Sequence, residues 1–529
     1  MAKQSQRIFA GAGLLALAGL VAKILSAVYR VPFQNIVGNQ GFYVYQQVYP
    51  IYGIGMVMAL SGWPLFISKM VAEQGSLQEQ QQVAKRLFWL LMGLSVLIFT
   101  AIYGGANLIA TGMHDVRLIP EIKAVAWMFL CMPFLAVGRG YTQGQLDMAP
   151  TAVSQVIEQV VRVGIILVVA WWGMQQQWNV YQIGTWATFA ATLAGIAAII
   201  SLWPKTGTVR SNSVSQTGNI PVAWRTLWRR LWFEGGLLAV LAALLVLLQL
   251  IDSFTVKGLL QVNGLSASAA EVQKGVYDRG QPLVQLGMVV ATGLGTALLP
   301  ALHEHWQNKR WQELKKTFQM TVRISLVFSV LTAAGLITVL PVVNEMLFSS
   351  RQGDSALAWY TLIVVPATLI TVLTNVLQSL NKTKGLFWLV GVSLIIKWGL
   401  NQFLIPNFGI IGAAVATLLA LVPLLVFTIY RIPSQLWHKM SSKGWWLSLG
   451  LTTITVVLSA GVIRVVGDTL LGKGRLDSVV TTVFAVVGGG AIGIILLLYL
   501  KIFNEDELLA LPKGDRLVNR IKENKDAPR

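Results

Sequence analysis

Hydrophobic positions along this chain form long, nearly unbroken runs rather than the period-2 or period-3.6 patterns of half-buried elements. At about 1.5 Å rise per residue, a helix of about 20 apolar residues crosses the ~30 Å hydrocarbon core of a bilayer. Fourteen runs approach or exceed that length, with approximate limits 8–30, 44–67, 87–111, 124–146, 151–173, 181–203, 233–256, 281–302, 318–348, 356–380, 385–405, 409–430, 444–466 and 479–501. Lipid offers no partner to a backbone N–H or C=O, so such runs are viable only as helices. The expected fold class is an all-α polytopic membrane protein with about 14 transmembrane helices. The run 318–348 is long enough to tilt or to extend past the bilayer.

Composition agrees: 55% of residues are hydrophobic and only 12% are charged. The single cysteine, Cys131, lies inside an apolar run, which excludes a disulfide framework. Lys3 and Arg7 precede the first run as they would in a signal peptide. The many runs that follow make an uncleaved first span the expected reading. Lys and Arg crowd the loops on one side, above all 204–232 (Lys205, Arg210, Arg225, Arg229, Arg230) and 303–317 (Lys309, Arg310, Lys315, Lys316). Several loops on the other side, such as 175–182 and 406–409, carry none. By the positive-inside rule both termini are expected in the cytoplasm, with the protein in the plasma membrane. The net charge of +19 then reflects topology and contact with anionic membrane lipids, and nucleic acid is not an expected partner.

The chain also resembles itself. Shifted by 232 residues, Tyr45–Ala59 overlies Tyr277–Ala291, with Tyr, Pro, Gly, Met, Val and Ala coinciding. Three further residues of offset match Gln143 with Gln378, Arg162 with Lys397 and Gly164 with Gly399. Two six-helix bundles are therefore expected, 1–203 and 233–431, joined by the basic linker 204–232. A hairpin at 432–503 and a cytoplasmic tail at 504–529 follow. An even number of spans per repeat relates the halves by an axis along the membrane normal, with a cavity between them.

Charges inside the spans are the candidate chemistry. Lys23 falls deep in the first span, where a cation costs about 3 kcal/mol on insertion scales. Seven residues separate Lys23 from Arg30, which predicts one helical stripe shared with Ala12, Ala16, Gly19 and Ser26. That stripe suits a water-filled cavity; the competing reading is a lysine snorkelling to the interface, which explains Arg30 better than Lys23. Arg162 and Lys397 are mid-span cations at matching places in the repeat. Glu158 precedes Arg162 by one turn and is expected to pair with it. Asp252 is an acid available to balance one cation, and Arg139 reads equally as a cavity residue or a helix-end anchor. With Arg279 at the start of the eighth span, cations outnumber acids, and such a surplus asks for an anionic guest.

Other chemistries find little support. The phosphate-binding pattern G-x-x-x-x-G-K-[ST] is absent, so no nucleotide cofactor is expected. His303 and His305 flank Glu304 in a highly charged loop, where solvation is expected rather than a metal. Gly488–Gly490 and Gly493 suit close helix packing. No catalytic residues are expected.

The stretches Lys23-Ile-Leu-Ser-Ala-Val-Tyr-Arg30-Val-Pro, Gly41-Phe-Tyr-Val-Tyr-Gln46 and Tyr49-Pro-Ile-Tyr52 resemble the stage V sporulation protein B-like polysaccharide exporters of Gram-positive bacteria. Ser68–Glu73, Asp147–Gln159 and Asn381–Lys384 extend the likeness over essentially the whole chain. These exporters fall in the multidrug/oligosaccharidyl-lipid/polysaccharide (MOP) superfamily. Asp278-Arg279 with Gly293–Pro300 resembles the eighth span of MurJ-type lipid II flippases. The resemblance implies a carrier that flips a polyprenyl-diphosphate-linked cell-wall precursor, lipid II first among them, from the inner to the outer leaflet. It implies that Lys23, Arg30 and Arg279 face the diphosphate and brings in the cell-wall synthesis machinery as a partner; Arg139, Glu158, Arg162, Asp252 and Lys397, read from the spans themselves, are the supporting cavity charges. The chain departs from the MurJ-type pattern in lacking a second-span arginine around Leu60–Pro64 and an aspartate around Gly38–Gly41. The alternatives are a flippase for another lipid-linked polysaccharide unit, a cation-coupled multidrug efflux carrier, which would favour acidic cavity residues, and an accessory membrane protein without transport.

Overall fold

A computed structural model describes residues 2–211, 223–296, 298–438, 440 and 442–509. Among these residues the secondary structure is helical, without strands. Part of the expected linker and most of the expected tail lie outside the described residues. The helices used below are α1 (Ala2–Val28), α2 (Arg30–Val57), α3 (Trp63–Ala72), α4 (Leu77–Gly104), α5 (Ile119–Gly144), α6 (Ala149–Gln175), α7 (Val180–Ser211), α8 (Trp224–Arg230), α9 (Leu244–Val262), α10 (Ala267–Asp278), α11 (Gly280–Thr296), α12 (Trp311–Phe348), α13 (Asp354–Thr361), α14 (Val364–Ser379), α15 (Leu386–Arg431), α16 (Lys443–Leu470), α17 (Arg475–Tyr499) and α18 (Glu505–Leu509). Eleven helical segments among the described residues are long and apolar enough to cross a membrane. The two longest, Gly13–Ala72 and Leu386–Arg431, each contain two of the expected spans.

Each of these long segments is broken by one glycine. Gly38 (φ 71°, ψ −175°) interrupts α2, and Gly409 (φ 57°, ψ −137°) interrupts α15. Such backbone angles belong almost wholly to glycine, because a Cβ would collide with the neighbouring carbonyl. α1 and α2 meet at Tyr29, where Pro32, lacking an N–H, leaves one helical hydrogen bond unmade. Tyr29 keeps helical angles (φ −60°, ψ −24°), so Lys23 and Arg30 retain their helical spacing but do not share an environment. Lys23 is exposed on α1, whereas Arg30 is fully buried at the start of α2.

Left-handed turn residues recur along the chain. His114 and Ser349 (φ 58° and 51°) and Leu146 and Asn381 (φ 63° and 55°) are each 235 residues apart. Gln177 and Gly409 (φ 55° and 57°) are 232 apart. These are the two offsets at which the sequence overlies itself.

The chain forms two compact units. One comprises Met1–Pro282 with Leu386–Ala413, the other Leu283–Gly385 with Ala414–Arg529. In the first, the aromatic middle of α2, from Phe42 to Tyr52, is buried against α5, α7, α9 and α10. In the second, α16 and α17 form a hairpin packed on α12. Gly489 and Gly493 permit that approach, since a Cβ at either would come within 3.2 Å of Ala460 or 3.1 Å of Val456, while Gly490 meets nothing. Arg351 clasps Asp468 through two nitrogens at 3.0 and 2.7 Å, tying the α12–α13 loop to the end of α16. The Arg323 Nη2 and Trp445 Nε1 both donate to the Ile502 carbonyl, at 2.7 and 3.0 Å, which pins the segment before α18.

Candidate anion site and the buried charges around it

All eight charged residues singled out from the sequence fall in the first unit. The site is built on tyrosines. Tyr45, Tyr49 and Tyr52 lie four and three residues apart on α2 and so share one face. Tyr29, between α1 and α2, joins them through a 2.8 Å bond between its hydroxyl and that of Tyr45. Two guanidiniums lie over this cluster. Arg30 sits 4.3 Å from the Tyr49 ring centroid and 5.9 Å from that of Tyr29. Arg162, from α6, sits 4.8 Å from Tyr52 and 5.1 Å from Tyr29. A desolvated cation over an aromatic face gains about 2 kcal/mol, which offsets only part of the cost of burying it.

Arg162 is 1% exposed. Its Nη2 donates to Gln159 Oε1 at 2.6 Å and to Ser26 Oγ at 3.3 Å. Its Nε and Nη1 are buried without a hydrogen-bond partner, and among the described residues it forms no salt bridge. The expected pairing with Glu158 is not made. Glu158 instead receives Arg139 Nη2 at 2.6 Å, from the neighbouring helix α5. Arg139 also donates through Nε to Ser154 Oγ (2.8 Å) and through Nη1 to the Ala59 carbonyl (3.3 Å), so every arm of its fork is engaged. Arg139 is thus neither open to a cavity nor a helix-end anchor; it is half of a helix-to-helix ion pair.

Lys397 is likewise committed. Its ammonium is 2.7 Å from Asp252 and donates to the Ala413 carbonyl at 2.8 Å. Asp252 also accepts from Tyr277 (2.8 Å) and Asn401 (3.0 Å). The acid that spacing alone does not supply to Lys397 comes from α9. Arg279 is buried and donates to Asn39 Oδ1 at 2.6 Å, just after the Gly38 break. The adjacent Asp278 pairs with Lys274 one turn back, and its electrostatic neighbours include Asp252 and Arg30. Of the three cations expected to face a diphosphate, Arg30 and Arg279 are enclosed and only Lys23 is exposed. The structure brings Arg30 to Arg162 over a shared ring and links Lys23 to neither.

A second cluster, absent from the sequence reading, lies at the far ends of these helices. Lys257 on α9 bridges Asp115 (2.8 Å) and Glu271 (2.9 Å), and Arg117 reaches the same two carboxylates. Tyr43, Tyr181 and Gln40 also donate into it. Burial opposes ionisation of Asp115, but hydrogen bonds from Arg117, Lys257 and Tyr181 prevail and hold it below the usual carboxylate range. The signal available in the sequence was Lys257, a lysine within an otherwise apolar helix. Among the described residues no group of three or more His, Cys, Asp or Glu side chains is placed to hold a metal.

The site is thus that of a helical membrane protein in which two buried guanidiniums rest on tyrosines, and one of them, Arg162, forms no salt bridge among the described residues. The chain belongs to the polysaccharide biosynthesis protein family, whose model matches residues 8–306, and a model of the lipid II flippase MurJ matches residues 267–485. It is 34% identical to the uncharacterized membrane protein YabM of Bacillus subtilis, over 96% of each chain. It is 25% identical to stage V sporulation protein B of the same organism, over 98% of this chain and all of the relative. Its fold is that of the lipid II flippase MurJ in an inward closed conformation, with a TM-score of 0.67, 12% identity, and 92% and 98% of the two chains covered. The protein is thus a multi-pass membrane protein of the polysaccharide biosynthesis protein family, with the fold of the flippase MurJ.

Proposed function

We propose that this protein is a flippase that moves a polyprenyl-diphosphate-linked cell-wall precursor, lipid II first among them, from the cytoplasmic to the outer leaflet of the plasma membrane. The observation that carries the reading is Arg162, a buried guanidinium with two unpartnered nitrogens and no acid. A diphosphate supplies what those nitrogens lack, because charge-assisted bonds to a planar fork are strong in low dielectric. Arg30 lies beside it over the Tyr29 ring, Arg279 is a further buried cation, and Lys23 stands apart from all three. In the substrate-accepting state the diphosphate replaces tyrosine faces on the guanidiniums, while the lipid tail stays in the bilayer. The two six-helix halves, 1–203 and 233–431, related by an axis along the membrane normal, rock against each other; the recurring left-handed turns support the repeat behind this reading. A cation-coupled efflux carrier finds less support, since a buried acid-free cation repels cationic drugs.

The test is reconstitution in vesicles with labelled lipid II and, in parallel, a labelled teichoic-type precursor. Translocation of lipid II above that of protein-free vesicles, lost in Arg162→Gln, is the expected result. Movement of the teichoic-type lipid alone would transfer the function to that substrate. Movement of neither, or an unimpaired Arg162→Gln, would overturn the reading. Cysteines introduced at Gln176 and Asn407 should label from outside intact cells and one at Lys382 only from within, as cytoplasmic termini require.

A further inference from the structure

On the side of α5 away from Arg139, a cavity of about 440 Å³ opens between α4, α5 and α7. Its walls are apolar and aromatic, with Phe88 and Trp89 from α4, Phe134 from α5 and Trp203 from α7. Trp89 and Trp203 are more than half exposed, at 58% and 53%, so the groove opens outward, where a membrane protein meets acyl chains. Two polar groups stand in it. Lys85, half-buried in the first turns of α4, makes no salt bridge or hydrogen bond among the described residues. Tyr141 is 3% exposed, and its hydroxyl likewise has no hydrogen-bond partner among the described residues.

The end of the groove where Lys85 lies is the basic end of the unit. Arg86 stacks on Trp224 of α8 at 5.6 Å, and α8 presents Trp224 and Trp228, both exposed, interleaved with Arg225 and Arg229, while Arg230 is bound to Glu73 and Glu234. Tryptophans interleaved with arginines sit at headgroup level and attract acidic lipid. An apolar slot of this size with one ammonium and one hydroxyl at its polar end fits an acyl chain below a phosphate. Neutral headgroups would gain the slot but leave the ammonium without a net counter-charge.

We propose that this groove is a resident site for an acidic glycerophospholipid, whose phosphate is held by Lys85 and Tyr141 and whose acyl chain lies on Phe88, Trp89, Phe134 and Trp203. The site is separate from the tyrosine–arginine cluster, which draws on α1, α2 and α6. Its occupant braces the α5 helix from the face opposite the Arg139–Glu158 pair.

The experiment uses the full-length protein in detergent, titrated with phosphatidylglycerol or with phosphatidylcholine of identical acyl chains, and read by native mass spectrometry. One lysine near a membrane surface is worth about 1 kcal/mol, so wild type should retain phosphatidylglycerol roughly fivefold more strongly. Lys85→Gln should abolish that preference, and Tyr141→Phe should reduce it. Phe134→Trp, which fills the slot, should weaken retention of both lipids. Lys384→Gln, an exposed lysine elsewhere, should change nothing. Equal retention of the two lipids by wild type, an unchanged preference in Lys85→Gln, or an equal loss in Lys384→Gln would overturn the assignment.

Discussion

Arg139 and Glu158 face each other across α5 and α6 at 2.6 Å, and both are buried. This pairing takes the only carboxylate that spacing offered to Arg162. The consequence reaches the function, because the cation one turn further along α6 is left to tyrosines and a glutamine and remains receptive to an anion.

The first prediction concerns that pair. Removing one member of a buried ion pair leaves the other uncompensated and costs about 3–5 kcal/mol. Arg139→Gln and Glu158→Gln should each lower the melting temperature of the purified protein markedly. The double substitution should be less damaging than the sum of the two, as coupled neighbours require. Glu158→Gln combined with Arg162→Gln should instead add without coupling. Additivity in the Arg139 cycle would disprove the pairing seen here.

A second prediction concerns acid. Asp115 is held below the usual carboxylate range within a cluster of Arg117, Lys257, Glu271, Tyr43 and Tyr181. A carboxyl whose folded pKa is depressed adds stability that is fully present above its unfolded pKa, near 3.8, and is lost as pH falls through the folded value. Thermal stability should therefore show no contribution from Asp115 titration between pH 5 and 8, and should lose one as the medium is taken below about pH 4. Asp115→Asn should be less stable at pH 7 and should show a shallower acid slope. An acid slope identical to wild type would mean that Asp115 is not ionised in this network.

The spans were legible because lipid imposes a length that the apolar runs declare. The lapse in hydrogen bonding at Tyr29 was legible in principle too, since Pro32 marks it, but a run judged on hydropathy alone passes through a proline. The partners of the charges were not legible. Glu158 and Arg162 stand four residues apart, a spacing that permits a pair on one helix, while Arg139 reaches the same carboxylate from another helix. Asp252 was recognisable as a balancing acid, but its choice of Lys397 depends on how α9 meets α15. Lys274 and Asp278 have the spacing of a pair on one helix, but they lie just before the eighth apolar run, where hydropathy marks no span to bury them. The second cluster brings Asp115 to Lys257 and Glu271 from more than a hundred positions away, which no local pattern encodes.

The last prediction separates the cations by environment. Arg162 and Arg30 are buried over a shared tyrosine, while Lys23 is exposed and makes no contact with them. Charge-assisted hydrogen bonds in such a site are worth about 1.5–3 kcal/mol, a loss of roughly ten- to hundredfold in binding. Arg162→Gln and Arg30→Gln should weaken binding of a lipid-linked diphosphate to the purified protein by that amount, with Arg279→Gln similar. Arg162→Lys should recover little, because a point charge cannot replace the fork. Lys23→Gln, which removes a cation in contact with neither arginine, should weaken binding by about fivefold or less, while Lys23→Arg stays close to wild type. Membrane expression should be unchanged throughout, and a cationic dye should bind every variant alike. If Lys23→Gln proves as damaging as Arg162→Gln, the substrate passes along the exposed face of α1, and the tyrosine-bound arginines serve to hold the helices together.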